Sequence, residues 1–437
     1  MGVGMHNSSV ITPFDLNTAP PSIMHIDLNS CFATIEQQSR PSLRGRPVGV
    51  TNRITPHCCM IALSYEAKRV GAKVGMRHDE VRGMVPNLIV LETDPPKYHH
   101  AYQKLVEIMK SYSPKVKMKS IDEGIIDFSG SNHALNMRSH NSTKALEQIG
   151  YEIKQRLKEE LGCWMKCNVG IAPNRFLAKL AAGFNKPDGL TVIDHRNIEE
   201  IYSKLVLQDF PGIASRFEKR LKEKGVTTPL EFLHAPYMTL RKGVFKSIVG
   251  EHWYKRIRGY EVDDVETNLG IVGKQFVMDN KTTDEREIKK RFSYLCYSTG
   301  RKLRYNEVAA RGIYVYLQLA NGESWFKRHL FERPFHSDKD VFANAMFILD
   351  QREKTIPITM MSITCYHLSP LNGVDTQLEL FKDIEQEENL TETIDDINDY
   401  FGLPSISFAT SLGGHNIVKQ KIPFGSTKYF ELLCKRA

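Results

Sequence analysis

The chain has 437 residues, 41% hydrophobic and 25% charged, with 59 Lys and Arg against 51 Asp and Glu for a formal net charge of +8. That length exceeds what one hydrophobic core usually supports, so two to four domains are expected, and the composition is that of a soluble globular protein. No apolar run approaches the roughly 20 residues of a membrane span, and the eight scattered cysteines favour free thiols in a reducing cytoplasm over a zinc site or a disulfide framework.

Residues 1–22 lack the charged start and long apolar core of a secretory signal and read as a flexible leader. "MHIDLNSCF", residues 24–32, then alternates Met24, Ile26 and Leu28 against His25, Asp27 and Asn29, the pattern of a half-buried strand. Its carboxylate therefore points away from the buried layer. "CFATIEQQS" continues as a short helix, followed by a turn, the strand "VGVTN", the run "CCMIALSYEAKRVGAKVGM" that passes from an apolar stretch into a helix-like one ending at Gly71, and the strand "NLIVLE". Tyr98, Tyr102, Leu105 and Met109 recur at helical spacing, so Lys97–Ser111 is an amphipathic helix ending before Pro114. "KSIDEGIIDFSG" reads as a bent strand or strand pair. Adjacent strand residues face opposite ways, so Asp122 and Glu123 serve one site only at a turn, which Gly124 permits. Lys144–Leu161 is a second amphipathic helix, followed by the strand "KCNVGIA" and a helix opened by Pro173. With the 41–94 insertion set aside, this order fits a ferredoxin-like sheet with helices on one face.

Beyond Thr191 the chain turns to short basic helices, with 12 Lys and Arg against 7 Asp and Glu over residues 199–260. "GYEVDDVETNLG" marks a linker. Residues 268–375 hold 16 cations against 12 acids and a clear strand in "RGIYVYLQLA", and form a second α+β domain; residues 376–437 are acidic, with 6 against 10. A basic middle with an acidic tail suggests a polyanionic partner for the former.

Magnesium takes hard oxygen ligands, and a two-metal site for phosphoryl transfer needs carboxylates around ions about 4 Å apart. Asp27, Asp122 and Glu123 can supply them. Tyr65 and Lys68, three apart, suit a phosphate with one hydroxyl and one cation, and "NKPDG" adds Lys186 at a helix end.

"HIDLNSCFATIEQ", "SYEAKRVGAKVGM", "SIDEGIIDF" and "VGIAPNRFLAKLAAGFNKPDGLTVI", in this order, resemble the palm and fingers of Y-family lesion-bypass DNA polymerases of the bacterial DinB/UmuC type. The resemblance implies an α+β, right-hand polymerase with a ferredoxin-like palm (23–40 and 95–198), small fingers (41–94), a helix-hairpin-helix thumb (199–260), a linker (261–267) and an α+β little finger (268–375), followed by a tail (376–437). It implies low-fidelity translesion synthesis without proofreading, in a monomer that binds primer-template DNA and dNTP in the DNA-damage response. It makes Asp27, Asp122 and Glu123 ligands of two Mg2+ ions together with the Leu28 carbonyl, and makes Tyr65, Lys68 and Lys186 triphosphate ligands. Phe32 becomes the steric gate against a 2′-hydroxyl. Gly212, Ile213 and Ala214 match the thumb hairpin, with Ala214 in place of its second glycine, and the cations Lys274, Arg301, Lys302, Arg304 and Arg311 of the little finger become candidates for phosphate contacts. "QLELF", with Gln377, Leu378, Leu380 and Phe381, has the form of a bacterial sliding-clamp peptide. Accessory mutasome subunits are further expected partners, and Asn29 stands where many DinB-type members carry a second acid. A non-catalytic accessory member of the family would show a degraded triad, and a palm-type cyclase would need neither thumb nor little finger.

Overall fold

The computed structural model describes residues 16–130, 141–265, 268–371, 384–401 and 405–406. The chain divides after Val265 into two compact units.

In the first unit, strand β1 (Ile23–Leu28) lies at the centre of a five-stranded sheet with β5 (Val116–Met118), β6 (Glu123–Asp127), β7 (Cys167–Ala172) and β8 (Leu190–Val192), in the order β5-β6-β1-β7-β8. β1 runs antiparallel to both β6 and β7. Helices Pro95–Lys110 and Ser142–Glu160 connect β1 to β5 and β6 to β7, which gives the ferredoxin-like order with β8 added at one edge. Asn141 caps the second helix by accepting from the N–H groups of Thr143 and Lys144. Met24, Ile26 and Leu28 pack against Tyr102, Leu105, Ile149 and Ile153 of these helices, each buried side chain contributing roughly 1.5–3 kcal/mol.

The expected half-buried strand is corrected here. β1 is covered on both faces, and His25 is buried. The helix Arg175–Ala182 covers the second face, where Ile23, Ile125, Ala172 and Leu177 join one apolar cluster. Gly124 also has another role than a turn. It lies within β6 opposite Ile26, and a side chain there would collide with the methionine sulfur of Met118 at 2.6 Å and the terminal methyl of Met109 at 2.8 Å. Its missing Cβ lets that layer close over the sheet.

The inserted piece holds β2 (Val48–Thr51) between antiparallel β3 (Ala62–Leu63) and parallel β4 (Ile89–Glu92). The helix Tyr65–Arg69 falls within the helix-like stretch expected to end at Gly71, and a second short helix, His78–Met84, follows it. Beyond β8 the chain forms helices Ile198–Ser203, Ser215–Lys222, Pro229–His234 and Val249–Arg256 around Phe210, Phe232, Phe245 and Trp253. Gly212 is preceded by the 3-10 turn Leu207–Asp209. The start of the expected linker is held down within this unit: Arg175 pairs with Glu261 at 3.0 Å and Asp264 at 2.7 Å, and Arg256 pairs with Asp263.

The second unit is a four-stranded sheet in the order β11-β10-β12-β9, built from β9 (Ile271–Thr282), β10 (Val308–Leu319), β11 (Ser324–Phe335) and β12 (Ile358–Pro370). Helices Glu285–Tyr305 and Asp338–Leu349 pack on it around Phe292, Ile313, Val315 and Ile348. β9 was not foreseen as a strand. Part of the expected tail, the helix Ile384–Phe401, also belongs to this unit, because its Asp395 and Asp399 pair with Arg304 and Arg301. Among the described residues no helix is long and apolar enough to cross a membrane, and all cysteines are free.

Candidate active site

Asp27 ends the polar side of β1 and lies directly opposite Glu123, the first residue of β6, and Asn168 on β7. Asp122 immediately precedes β6, and its backbone carbonyl accepts from the Leu28 N–H at 2.9 Å. Topology thus joins carboxylates almost a hundred residues apart in sequence. Burial pushes the Asp122 carboxyl above the usual carboxylate range, the Ser120 hydroxyl that donates to it works against that, and the charges of Asp27 and Glu123 add to it. Glu123 goes the other way. Burial would raise it, but hydrogen bonds from His25 Nε2 at 3.0 Å and Lys179 Nζ at 2.8 Å hold it at about 2. Asp27 is paired with Lys186.

The anion-binding candidates meet at the same place. Lys68 Nζ donates to Ser30 Oγ at 2.7 Å and lies 5.0 Å from the centre of the Tyr65 ring. Burial and the neighbouring charge of Lys186 lower Lys68, with Asp27 opposing; burial and the Asp27 charge push Tyr65 up to about 12. Tyr65, Lys68, Lys186 and Asp27 therefore sense one another. The Lys186 ammonium is close enough to lower Lys68, and a multiply charged anion placed between the two would offset that repulsion. Cys31, buried beside them, is raised by burial and by the charges of Asp122 and Asp27, so its thiol is no nucleophile.

The donor set suits a divalent ion: three carboxylates, of which Asp27 and Glu123 are met by lysines and a histidine and Asp122 by the Ser120 hydroxyl. As placed, no three His, Cys, Asp or Glu side chains among the described residues converge tightly enough to enclose an ion. Asp27 and Glu123 are instead turned onto Lys186 and Lys179.

Phe32 follows in the helix Cys31–Ser39, 2% exposed, its ring stacked on Tyr98 with centroids 4.3 Å apart. The Tyr98 hydroxyl donates to the buried carboxylate of Glu36 at 3.0 Å. In the thumb-like part, Gly212 has φ +100°, whereas Ala214 at φ −100° and ψ 176° is extended backbone that any residue adopts, so alanine suits that position. Ile213 is buried. Gly212→Ala is expected to lower stability by about 1–3 kcal/mol, since it puts a Cβ on a left-handed backbone at 3.3 Å from the Trp253 ring; an unchanged denaturation midpoint would contradict this.

Arg311 is exposed on β10 at its register shift, its Nε donating to the Phe331 carbonyl at 3.3 Å. The other little-finger candidates have partners within their own unit. Arg301 pairs with Asp399, and Arg304 with Asp395 at 2.7 Å and Asp338 at 2.9 Å, so both are occupied by carboxylates of their own unit. Lys302 donates to the Gly273 carbonyl at 2.8 Å and Lys274 to Ser298 at 3.1 Å. Gln377, Leu378, Leu380 and Phe381 lie outside the described residues. Residues not found by reading the sequence are His25, Ser30, Ser120 and Lys179; His25, Ser30 and Lys179 touch a candidate group because strands and helices distant in sequence meet here, and Ser120 because the turn before β6 folds its hydroxyl onto Asp122.

A ferredoxin-like sheet with carboxylates on neighbouring central strands and lysines over them defines a polymerase-type palm. Residues 26–183 match the model of the impB/mucB/samB family, and residues 272–380 match that of the impB/mucB/samB family C-terminal domain. The chain belongs to this family, that of the Y-family DNA polymerases. It is 29% identical over 405 residues to DNA polymerase IV of Pelotomaculum thermopropionicum, covering 91% of this chain and 97% of that protein. It is 27% identical over 397 residues to DNA polymerase IV 1 of Bacillus subtilis, covering 89% and 93%. Among solved structures, a Y-family DNA polymerase chimera, Dbh-Dpo4(243-245)-Dbh, superposes with a TM-score of 0.67 at 22% identity over 79% of this chain and 98% of that one. An insertion ternary complex of Dbh DNA polymerase does so with a TM-score of 0.53 at the same identity and coverage.

Proposed function

We infer that the protein is a DNA-directed DNA polymerase of the translesion class, which adds dNTP to a primer on a DNA template by metal-dependent nucleotidyl transfer. The observation that carries this is the meeting of Asp27, Asp122 and Glu123 with Tyr65, Lys68 and Lys186 at one end of β1. The two relatives named above are both DNA polymerase IV proteins, which supports the reading.

Asp27, Asp122, Glu123 and the Leu28 carbonyl would hold two Mg2+ ions. When bound, such ions increase the acidity of the primer 3′-hydroxyl and neutralise charge on the departing pyrophosphate. For that, Lys186 gives up Asp27 and Lys179 gives up Glu123. Lys186, Lys68 and the Tyr65 hydroxyl then bind the triphosphate, which satisfies the paired ammonium charges and fixes the α-phosphate for in-line attack. Phe32 serves as the sugar gate, with Tyr98 behind its ring limiting how far the ring can yield. No side chain is assigned as the base.

The palm, fingers, thumb and little finger are assigned as the resemblance implies, with the start of the linker joined to the first unit and the helix Ile384–Phe401 to the second, and with Gly212, Ile213, Ala214 and Arg311 as contacts to the DNA backbone. Low fidelity without proofreading completes the reading. Primer extension across an abasic template site tests the translesion assignment: the protein is expected to insert opposite the lesion, and a complete stop one nucleotide before it contradicts the assignment.

The partner of the "QLELF" peptide is the bacterial sliding clamp, with Leu380 and Phe381 filling an apolar pocket. Replacing both by Ala is expected to leave distributive synthesis intact and abolish its stimulation by the clamp. Retained stimulation would refute this docking site.

A further inference from the structure

Asn29 is the first residue after β1, 2% exposed, on the same segment as Asp27. Its Oδ1 accepts from the backbone N–H of Asp188 at 2.7 Å, and its Nδ2 donates to Oδ1 of Asn168 at 3.1 Å. Asn168 is fully buried; its Oδ1 also accepts from the Gly189 N–H at 3.1 Å, and its Nδ2 donates to the Phe184 carbonyl at 2.6 Å. The two amides thus grip both ends of the loop Phe184–Gly189. That loop carries Lys186, and two of its residues, Asn185 at φ +53° and Asp188 at φ +65°, have left-handed backbone, which Asn and Asp adopt more readily than other side-chain-bearing residues.

We propose that Asn29, acting with Asn168, is a positioning residue of the nucleotide site, which fixes the loop and with it the place of the Lys186 ammonium. This rests on the reading of Lys186 as a triphosphate ligand. The direction of the amides is set by the backbone. Asn168 must present oxygen to the Gly189 N–H and nitrogen to the Phe184 carbonyl, so Asn29 must present nitrogen to Asn168. A carboxylate at position 29 would set oxygen against oxygen, and turning Asn168 over would only move the conflict to Gly189 and Phe184. An amide at position 29, rather than an acid, is therefore what this hydrogen-bond chain requires.

Single-nucleotide incorporation under primer extension tests the proposal. Asn29→Ala is expected to raise the KM for dNTP about tenfold, the order of one net hydrogen bond, with kcat nearly unchanged. Asn29→Asp, which keeps the shape and serves if the alanine variant does not fold, is expected to raise KM as well. A packing role alone would lower the melting temperature without this split between KM and kcat. Lys186→Ala, made in parallel, separates the two claims. If it leaves KM unchanged, the triphosphate role of Lys186 fails. If it raises KM while Asn29→Ala and Asn29→Asp do not, the positioning role is overturned. The double variant Asn29→Ala/Lys186→Ala is expected to be no worse than Lys186→Ala alone, and a full additional increase would likewise overturn the proposal.

Discussion

Asp122→Ala is expected to reduce magnesium-dependent primer extension by more than about 10³-fold, the scale seen when a group stabilising transition-state charge is removed. The reason lies in how the carboxylates differ. Asp27 and Glu123 each have a lysine partner, whereas among the described residues Asp122 is met by the Ser120 hydroxyl and no cation, and is raised by burial and by its two acidic neighbours. It is the least compensated charge of the set and the one a divalent ion would relieve most. The same feature predicts the opposite effect on stability. A carboxyl whose pKa is raised on folding favours the fold while protonated and opposes it once pH rises through that pKa, so the ionised group is a cost at neutral pH. Asp122→Asn should therefore lose extension while its melting temperature at neutral pH holds or rises. Near-normal extension by Asp122→Ala would remove the metal assignment.

Phe32→Ala is expected to raise incorporation of ribonucleotides relative to deoxyribonucleotides by about 10²-fold, the scale on which a pocket discriminates by size alone. The ring's burial brings a second consequence. Phe32 is 2% exposed and stacked on Tyr98, so its loss leaves a cavity in the palm as well as an open gate. A stability loss of about 3–5 kcal/mol is expected in a denaturant titration. Phe32→Leu, which fills more of that space, should give a smaller loss and a smaller change in selectivity. Unchanged sugar selectivity in both variants would deny Phe32 the gate role and leave it a core aromatic.

The fold was legible wherever one periodicity held over a whole element. The helices around Tyr102 and Ile149 show a clear apolar stripe, and β10 alternates cleanly, because each packs one face on a core. β1 misled in one respect. Its alternation suggested an open polar face, but the helix Arg175–Ala182 lies over it, and His25 finds Glu123 inside. The carboxylates were legible as residue types in characteristic motifs. Their partners were not: Lys179 and Ser30 are common residues whose meaning depends on strand register and helix placement, and Ser120 one whose meaning depends on the local turn before β6. Arg301 and Arg304 show the reverse error, since basic residues counted toward a nucleic-acid surface are neutralised by Asp395 and Asp399, about a hundred residues further along. Asn29 looked like a departure from an acidic pattern, and its role emerges only from the loop it holds.

The central claim is that the carboxylates at the end of β1 and β6 support template-directed, metal-dependent nucleotidyl transfer. Its most direct measurement is incorporation of one nucleotide by the purified protein on a defined primer-template, run with each of the four dNTPs, with magnesium and with magnesium chelated. The expected result is preferential addition of the nucleotide complementary to the template base, abolished by chelation and restored by added magnesium. Addition that ignores the template, or that continues after the metal is removed, would contradict it.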